Sequence, residues 1–114
     1  MLEAGQAVLA QYPYRNGTEA EYPRPYLIVR ITSTEADILS VSSIRGKERK
    51  VLFDSNCKIR VHFPPFLKPS FVQLDSLQTR PINDLLSKKL LAGGQKLNDE
   101  DLRNILQRLR KYRS

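Results

Sequence analysis

An arginine between two prolines, Pro23-Arg24-Pro25, is the residue of this chain best suited to chemistry on an anion. Pro25 presses Arg24 toward an extended backbone. An apolar run, Tyr26-Leu27-Ile28-Val29, follows at once. The guanidinium is thus delivered from the rim of a sheet, and its rigid, permanently charged fork matches a pair of phosphate oxygens. The basic stretch Ile44-Arg45-Gly46-Lys47-Glu48-Arg49-Lys50 adds cations that can follow a phosphate backbone with salt-sensitive affinity. Tyr14 and Tyr22 lie in the loop before Arg24, where aromatic rings can stack on unpaired bases. The plainer accounts are a strand-start arginine and a hairpin tip kept soluble by charge.

Other chemistries find less support. Cys57 is the only cysteine, so an internal disulfide or a multi-cysteine metal site is excluded. His62 is the only histidine and alternates outward with Lys58 and Arg60, which reads as a solvated side chain. Cys57 reads as a small packed residue. No cofactor and no metal is expected. The chain has 114 residues and a formal net charge of +7, enough for one domain spanning 1–114 with a modest core. That charge favours an acidic partner: nucleic acid, an anionic surface or an acidic protein. No apolar run is long enough to span a bilayer and no basic-then-apolar leader opens the chain, so a cytoplasmic protein without membrane contact is expected.

The elements that must position these residues follow from hydrophobic period. Residues 6–12 read as a first strand behind Gly5, and Asn16-Gly17 marks a turn in the long loop that follows. Residues 25–32 form a second strand, with Leu27, Val29 and Ile31 on one face and Tyr26, Ile28 and Arg30 on the other. Residues 36–43 form a third, Leu39 and Val41 opposing Ile38, Ser40 and Ser42. A brief strand is predicted at 51–53. Another is predicted at 57–63, with Ile59, Val61 and Phe63 inward, ended by Pro64-Pro65. Residues 70–77 read as one last long strand, Val72 and Leu74 opposing Phe71, Gln73 and Asp75.

Pro81 then opens a short helix carrying Ile82, Leu85, Leu86 and Leu90 on one side, stopped by Gly93-Gly94. The final helix has an Asn98 cap, a Leu97/Leu102 staple, a stripe of Leu102, Ile105, Leu106 and Leu109, and a basic end at Arg108, Arg110, Lys111 and Arg113. With no helix between the early strands, a parallel α/β fold is disfavoured. The fold class expected is mainly β with helices (α+β): a small curved sheet or partly open barrel plus a short and a C-terminal helix.

The order of these signals resembles the MazF/PemK family of bacterial toxins over nearly the whole chain. The segments that carry the likeness are Gly17-Thr18-Glu19, Arg24-Pro25 before an apolar strand, Val41-Ser42-Ser43 at a strand end, Pro69-Ser70-Phe71-Val72-Gln73-Leu74-Asp75, and the terminal helix. The resemblance implies an SH3-like barrel assembled as a homodimer. It implies the toxin of a type II toxin–antitoxin system: a metal-independent, sequence-selective endoribonuclease that cuts single-stranded RNA (mRNA) by attack of the RNA's own 2′-hydroxyl. It implies an antitoxin protein as partner.

On that resemblance, Arg24 stands at the family's catalytic arginine, Glu19 at the acid of its Gly-x-Glu segment, Ser42 and Ser43 at its Thr-Ser pair, and Asp75 at a late-strand acid. Arg24 would stabilise charge on the phosphate, Ser42 would hydrogen-bond it, and Glu19 or Asp75 would take the 2′-proton. Thr18, Ser43, Gln73, Thr79, Tyr14, Tyr22, Arg45, Lys47, Arg49 and Lys50 would contact substrate. The chain departs from the pattern at Ser42, where the family has threonine, and at Gln73 and Gln78, where it often has arginine. The rival reading is a barrel of the same shape that only binds, either like CcdB, which poisons DNA gyrase, or as a weakly active relative.

Overall fold

Several short strands that each bury one side must pack against one another or under a helix, because neither face can stay wet. The computed structural model, which describes residues 1–13, 17–60, 65–66 and 68–114, resolves this with one antiparallel sheet covered by helices. The strands are β1 (Ala7–Ala10), β2 (Arg24–Ile31), β3 (Glu35–Ser43), β4 (Asn56–Lys58), β5 (Ser70–Gln73), β6 (Gln78–Pro81) and β7 (Lys89–Leu90). The helices are α1 (Ile82–Leu86) and α2 (Asp99–Arg113). The seven strands run in the order β4-β5-β3-β2-β1-β7, with β6 paired to β3 and the path left open. The fold is α+β, as expected.

Period-2 alternation sends side chains to two cores. Leu27, Val29, Leu39, Val41 and Val72 pack with Ile105 and Leu109 of α2. Val8, Tyr26, Ile28 and Ile38 pack on the opposite face with Leu85 of α1. Full burial of each large side chain is worth about 1.5–3 kcal/mol, so both helices are held mainly by these stripes. The Asn98 cap forms: its Oδ1 accepts from Glu100 N at 2.9 Å and from Asp101 N at 3.4 Å.

Four expectations are corrected. The register shifts by one residue between Ile28 and Arg30, and such a bulge swaps faces beyond it. Ile31 therefore joins the Tyr26 and Ile28 side rather than following Leu27 and Val29. Residues 51–53 form no strand: Lys50–Leu52 is a one-turn 3-10 helix with Leu52 exposed. The long strand predicted at 70–77 is two strands, β5 and β6, split by a 3-10 turn at Leu74–Ser76. The split lets β3 pair β5 through its end and β6 through its beginning.

The helix begun at Pro81 ends at Leu86, well short of the glycines. Gly93 and Gly94 instead shape a separate turn, Leu91–Gly94, with φ of +61° and +89°. A Cβ on Gly94 would lie 3.1 Å from both Gln6 Nε2 and Leu90 Cδ2, a close approach that favours glycine. Gln6 Nε2 donates to the Gly94 carbonyl at 2.9 Å, tying this turn to the start of β1. Of the strand expected at 57–63, Asn56–Lys58 is observed, with Ile59 buried and Arg60 exposed. Val61, His62, Phe63 and Pro64 lie outside the described residues, as do Tyr14 and Asn16.

Candidate functional site

Arg24 is the first residue of β2 and Ser42 the penultimate residue of β3. Tyr26 is opposite Ser40 in the β2–β3 ladder. The β2–β3 pairing ends at that pair, and Arg24 and Ser42 each lie two residues beyond it, Arg24 paired with Ala10 of β1. On the other side of β3, Ser42 faces Phe71. One further step of that register sets Gln73 opposite Ser40. By alternation, Ser40 and Ser42 share the face of Ile38 on β3 and Arg24 shares the face of Tyr26 on β2, beyond the end of the core that α1 covers.

Two cations are tied to this rim. Arg24 Nη2 donates to the Tyr22 hydroxyl at 3.5 Å, and its guanidinium carbon lies 5.3 Å from the centre of the Tyr22 ring. Lys47 reaches back from the basic loop, and its Nζ donates to Ser42 Oγ at 2.9 Å. The loop is shaped for this by Gly46 at φ +77°, by Arg45 N donating to Ser43 Oγ at 3.3 Å, and by Gly46 N donating to Glu48 Oε1 at 3.2 Å. Arg45, Arg49 and Lys50 stay exposed. Ser40 Oγ is buried and lacks a hydrogen-bond partner among the described residues.

Ser42 also lines a groove of about 490 Å³ that opens on the sheet's other side, with Pro25, Ser43, Ser70, Phe66, Lys68 and Lys89 among its walls. It has an apolar floor, three serine residues and two lysines. Phe66, Lys68 and Lys89 carried no signal in the sequence, because they reach the groove from distant segments. Ser70 stood inside the Pro69-Ser70-Phe71 segment but had no reason to be singled out.

The remaining candidates are dispersed. Asp75 is exposed on the 3-10 turn after β5. Ser40 N donates to Ser76 Oγ at 2.8 Å, which docks that turn at the level of Ser40, about 7 Å along a strand from Ser42. Glu19 is exposed in a recess of about 280 Å³ with Gln11, Pro13 and Ala20, and Thr18 is exposed beside it. Thr79 belongs elsewhere. It is opposite Asp37, about 17 Å along β3 from Ser42, and its Oγ1 donates to Asp37 Oδ1 at 2.6 Å. Among the described residues no group of His, Cys, Asp and Glu is placed to hold a metal ion.

A second polar cluster went unnoticed in the sequence. The buried Tyr12 hydroxyl donates to Asp84 Oδ2. The Arg80 guanidinium carbon lies 4.3 Å from the centre of the Tyr12 ring. Lys88 Nζ is 3.9 Å from Asp84 Oδ1. Burial first, and then the hydrogen bond to the Asp84 carboxylate, push the Tyr12 phenol well above its ordinary range. The cluster anchors the start of the loop that leads to Arg24. From that loop's base, Pro13 O accepts from Gln78 Nε2 at 3.3 Å and Ala20 O accepts from Gln11 Nε2 at 2.7 Å.

A guanidinium, an ammonium and a hydroxyl on one rim can bind a tetrahedral oxyanion and stabilise charge that develops on it. No protein-family model matches the chain, and no curated protein matches it. No helix among the described residues is long and apolar enough to cross a membrane.

Proposed function

We propose that the chain is a metal-independent endoribonuclease of the toxin type, cutting single-stranded RNA by attack of a 2′-hydroxyl on the neighbouring phosphate. The observation that carries this reading is Lys47 Nζ donating to Ser42 Oγ near the end of β3, with Arg24 at the start of β2, each of Ser42 and Arg24 two residues past the last β2–β3 pair. The route needs charge stabilisation on the phosphate, removal of the 2′-proton and protonation of the leaving 5′-oxygen. Arg24 and Lys47 serve the first need, with Ser42 as a hydrogen-bonding partner of a phosphate oxygen. Glu19 lies in the β1–β2 connection that leads to Arg24, and Asp75 precedes Ser76, whose Oγ accepts from Ser40 N. One of these two acids takes the 2′-proton, and solvent supplies the proton for the leaving 5′-oxygen. Sequence selectivity, a homodimeric assembly, an antitoxin partner and a cytoplasmic site of action belong to the same proposal.

The test is cleavage of single-stranded RNA by the purified chain in chelator. Arg24→Ala is expected to lower the rate by roughly 100–1,000-fold, the usual loss for one preorganised donor. Equal rates for the two proteins would remove Arg24 from the chemistry. A binding-only function has one observation in its favour: the groove beside Ser42 is lined by hydroxyls, lysines and apolar groups, and no carboxylate is among its described walls. That function gives intact RNA in the same assay.

A further inference from the structure

A cleft of about 420 Å³ lies between the last turns of α2 and the turn after the 3-10 helix at Lys50–Leu52, lined by Asp54, Arg108, Lys111 and Tyr112. It falls in the size range of small-ligand sites. Its two walls are fastened together. Arg108 Nη2 donates to Asn56 O at 3.2 Å, and the buried Asn56 donates through Nδ2 to Lys50 O at 2.6 Å. The spacing between α2 and the β3–β4 connection is therefore set before any ligand arrives.

The surroundings of the cleft are unusual for a plain solvated surface. Leu52, Phe53 and Tyr112 are exposed to 83%, 56% and 43%, although each would gain by burial. Two cations, Arg108 and Lys111, stand against one carboxylate, Asp54, among the described lining, and Arg45, Lys47, Arg49 and Lys50 outnumber Glu48 in the connection that leads to it. This composition argues against a second copy of the chain, because a two-fold contact would set like charges against each other. Aromatic rings set among cations suit a flexible nucleic-acid strand, whose bases stack and whose phosphates need neutralising. Asp54 then has a use, since a carboxylate accepts hydrogen bonds from base amino and imino groups.

We propose that this cleft holds a nucleotide of a single-stranded RNA outside the Arg24–Ser42 rim, with Tyr112 and Phe53 stacking on bases, Arg108 and Lys111 contacting phosphate, and Asp54 accepting from a base N–H. The inference builds on the RNA reading above and extends it. Rim and cleft are joined along the chain: the connection that brings Lys47 to Ser42 runs on through Arg49 and Lys50 to Phe53 and to Asp54 of the cleft.

The test is binding of uncleavable 2′-O-methyl oligonucleotides to the full chain, one long and one too short to reach from Ser42 to Tyr112. The long strand is expected to bind more tightly. Tyr112→Ala should erase that advantage by roughly 5- to 150-fold, the value of about one stacked base, and Tyr112→Phe should restore it. Asp54→Asn should change the preference among bases without removing the length effect. Circular dichroism checks that each exposed-site variant is folded. An equal length advantage in Tyr112→Ala and the unmodified chain would overturn the inference. So would a Lys111→Glu variant that changes self-association or vesicle binding while leaving RNA affinity unmoved. Long-strand binding that depends on Tyr112, without cleavage of natural RNA, would uphold the cleft and sink only the nuclease.

Discussion

Tyr12 shows how much of this molecule depends on side chains that meet from far apart. Its hydroxyl donates to an acid 72 residues away, under a guanidinium from β6. Folding holds this phenol in its neutral form, because both burial and the neighbouring carboxylate oppose ionisation. The unfolded chain ionises it near the ordinary value of 10.0. Above that pH the folded protein binds more protons than the unfolded one, so stability falls as pH rises. The loss begins at the unfolded value and continues toward the folded one. Tyr12→Phe removes the titration, together with a buried hydroxyl whose partner is charged. Urea unfolding should show this variant less stable than the parent near neutrality, by about 1–3 kcal/mol, with the gap closing in buffers above about pH 10. A gap that stays constant across that range would mean Tyr12 does not titrate on unfolding. Nothing local in the sequence points to this contact. Arg24 was legible because the proline after it fixes its backbone, and Ser42 because alternation fixes its face. Lys47 on Ser42 became visible only once the loop had closed.

Among the elements, α2 was read most completely, because a cap, a staple and a 3.6-residue stripe are all local signals. Its N-terminus also carries a tertiary contact: Asp101, three residues after the cap, accepts from Arg60 N at 3.0 Å and so ties the helix to the segment after β4. Asn98→Ala is expected to lower stability by about 0.5–2 kcal/mol through loss of the cap. Under the proposed nuclease function, its effect on RNA cleavage should be confined to conditions in which the fold is already failing. Denaturant titration at neutral pH measures the first, and an unchanged midpoint would show that Asn98 adds nothing to the helix. The strands were legible in period but not in partnership. β3 serves two neighbours, β5 and β6, and the turn that allows this, Leu74–Ser76, breaks a run whose alternation looked continuous. The bulge after Ile28 was equally silent, since an added residue leaves the identities around it unchanged. The continuation of the helix expected beyond Leu86, toward Gly93-Gly94, failed for a different reason. The apolar Leu90 there serves a two-residue strand against β1, and a lone leucine cannot distinguish those roles.

At the scale of the whole molecule, six of the chain's 19 lysines and arginines are the ones the proposed RNA contacts would use. Arg24 and Lys47 stand at the rim, Arg49 and Lys50 along the connection, and Arg108 and Lys111 at the cleft. If single-stranded RNA follows that route, each neutralised phosphate releases counterions, and the logarithm of affinity falls linearly with the logarithm of salt. The slope for single strands is about −0.7 per contact. Four contacts, from Arg24, Lys47, Arg108 and Lys111, give a slope near −3 by that rule. Removing one cation by Lys111→Ala should make the slope shallower by about 0.7, whereas Tyr112→Ala should lower affinity at every salt concentration and leave the slope alone, because stacking displaces no counterions. Anisotropy titrations across a salt series separate the two effects in one experiment. A slope that Lys111→Ala leaves unchanged would place the RNA away from α2, and its whole salt dependence would then have to come from the rim and the basic loop. In that case the exposed Phe53 and Tyr112 rings would need a protein contact to account for them.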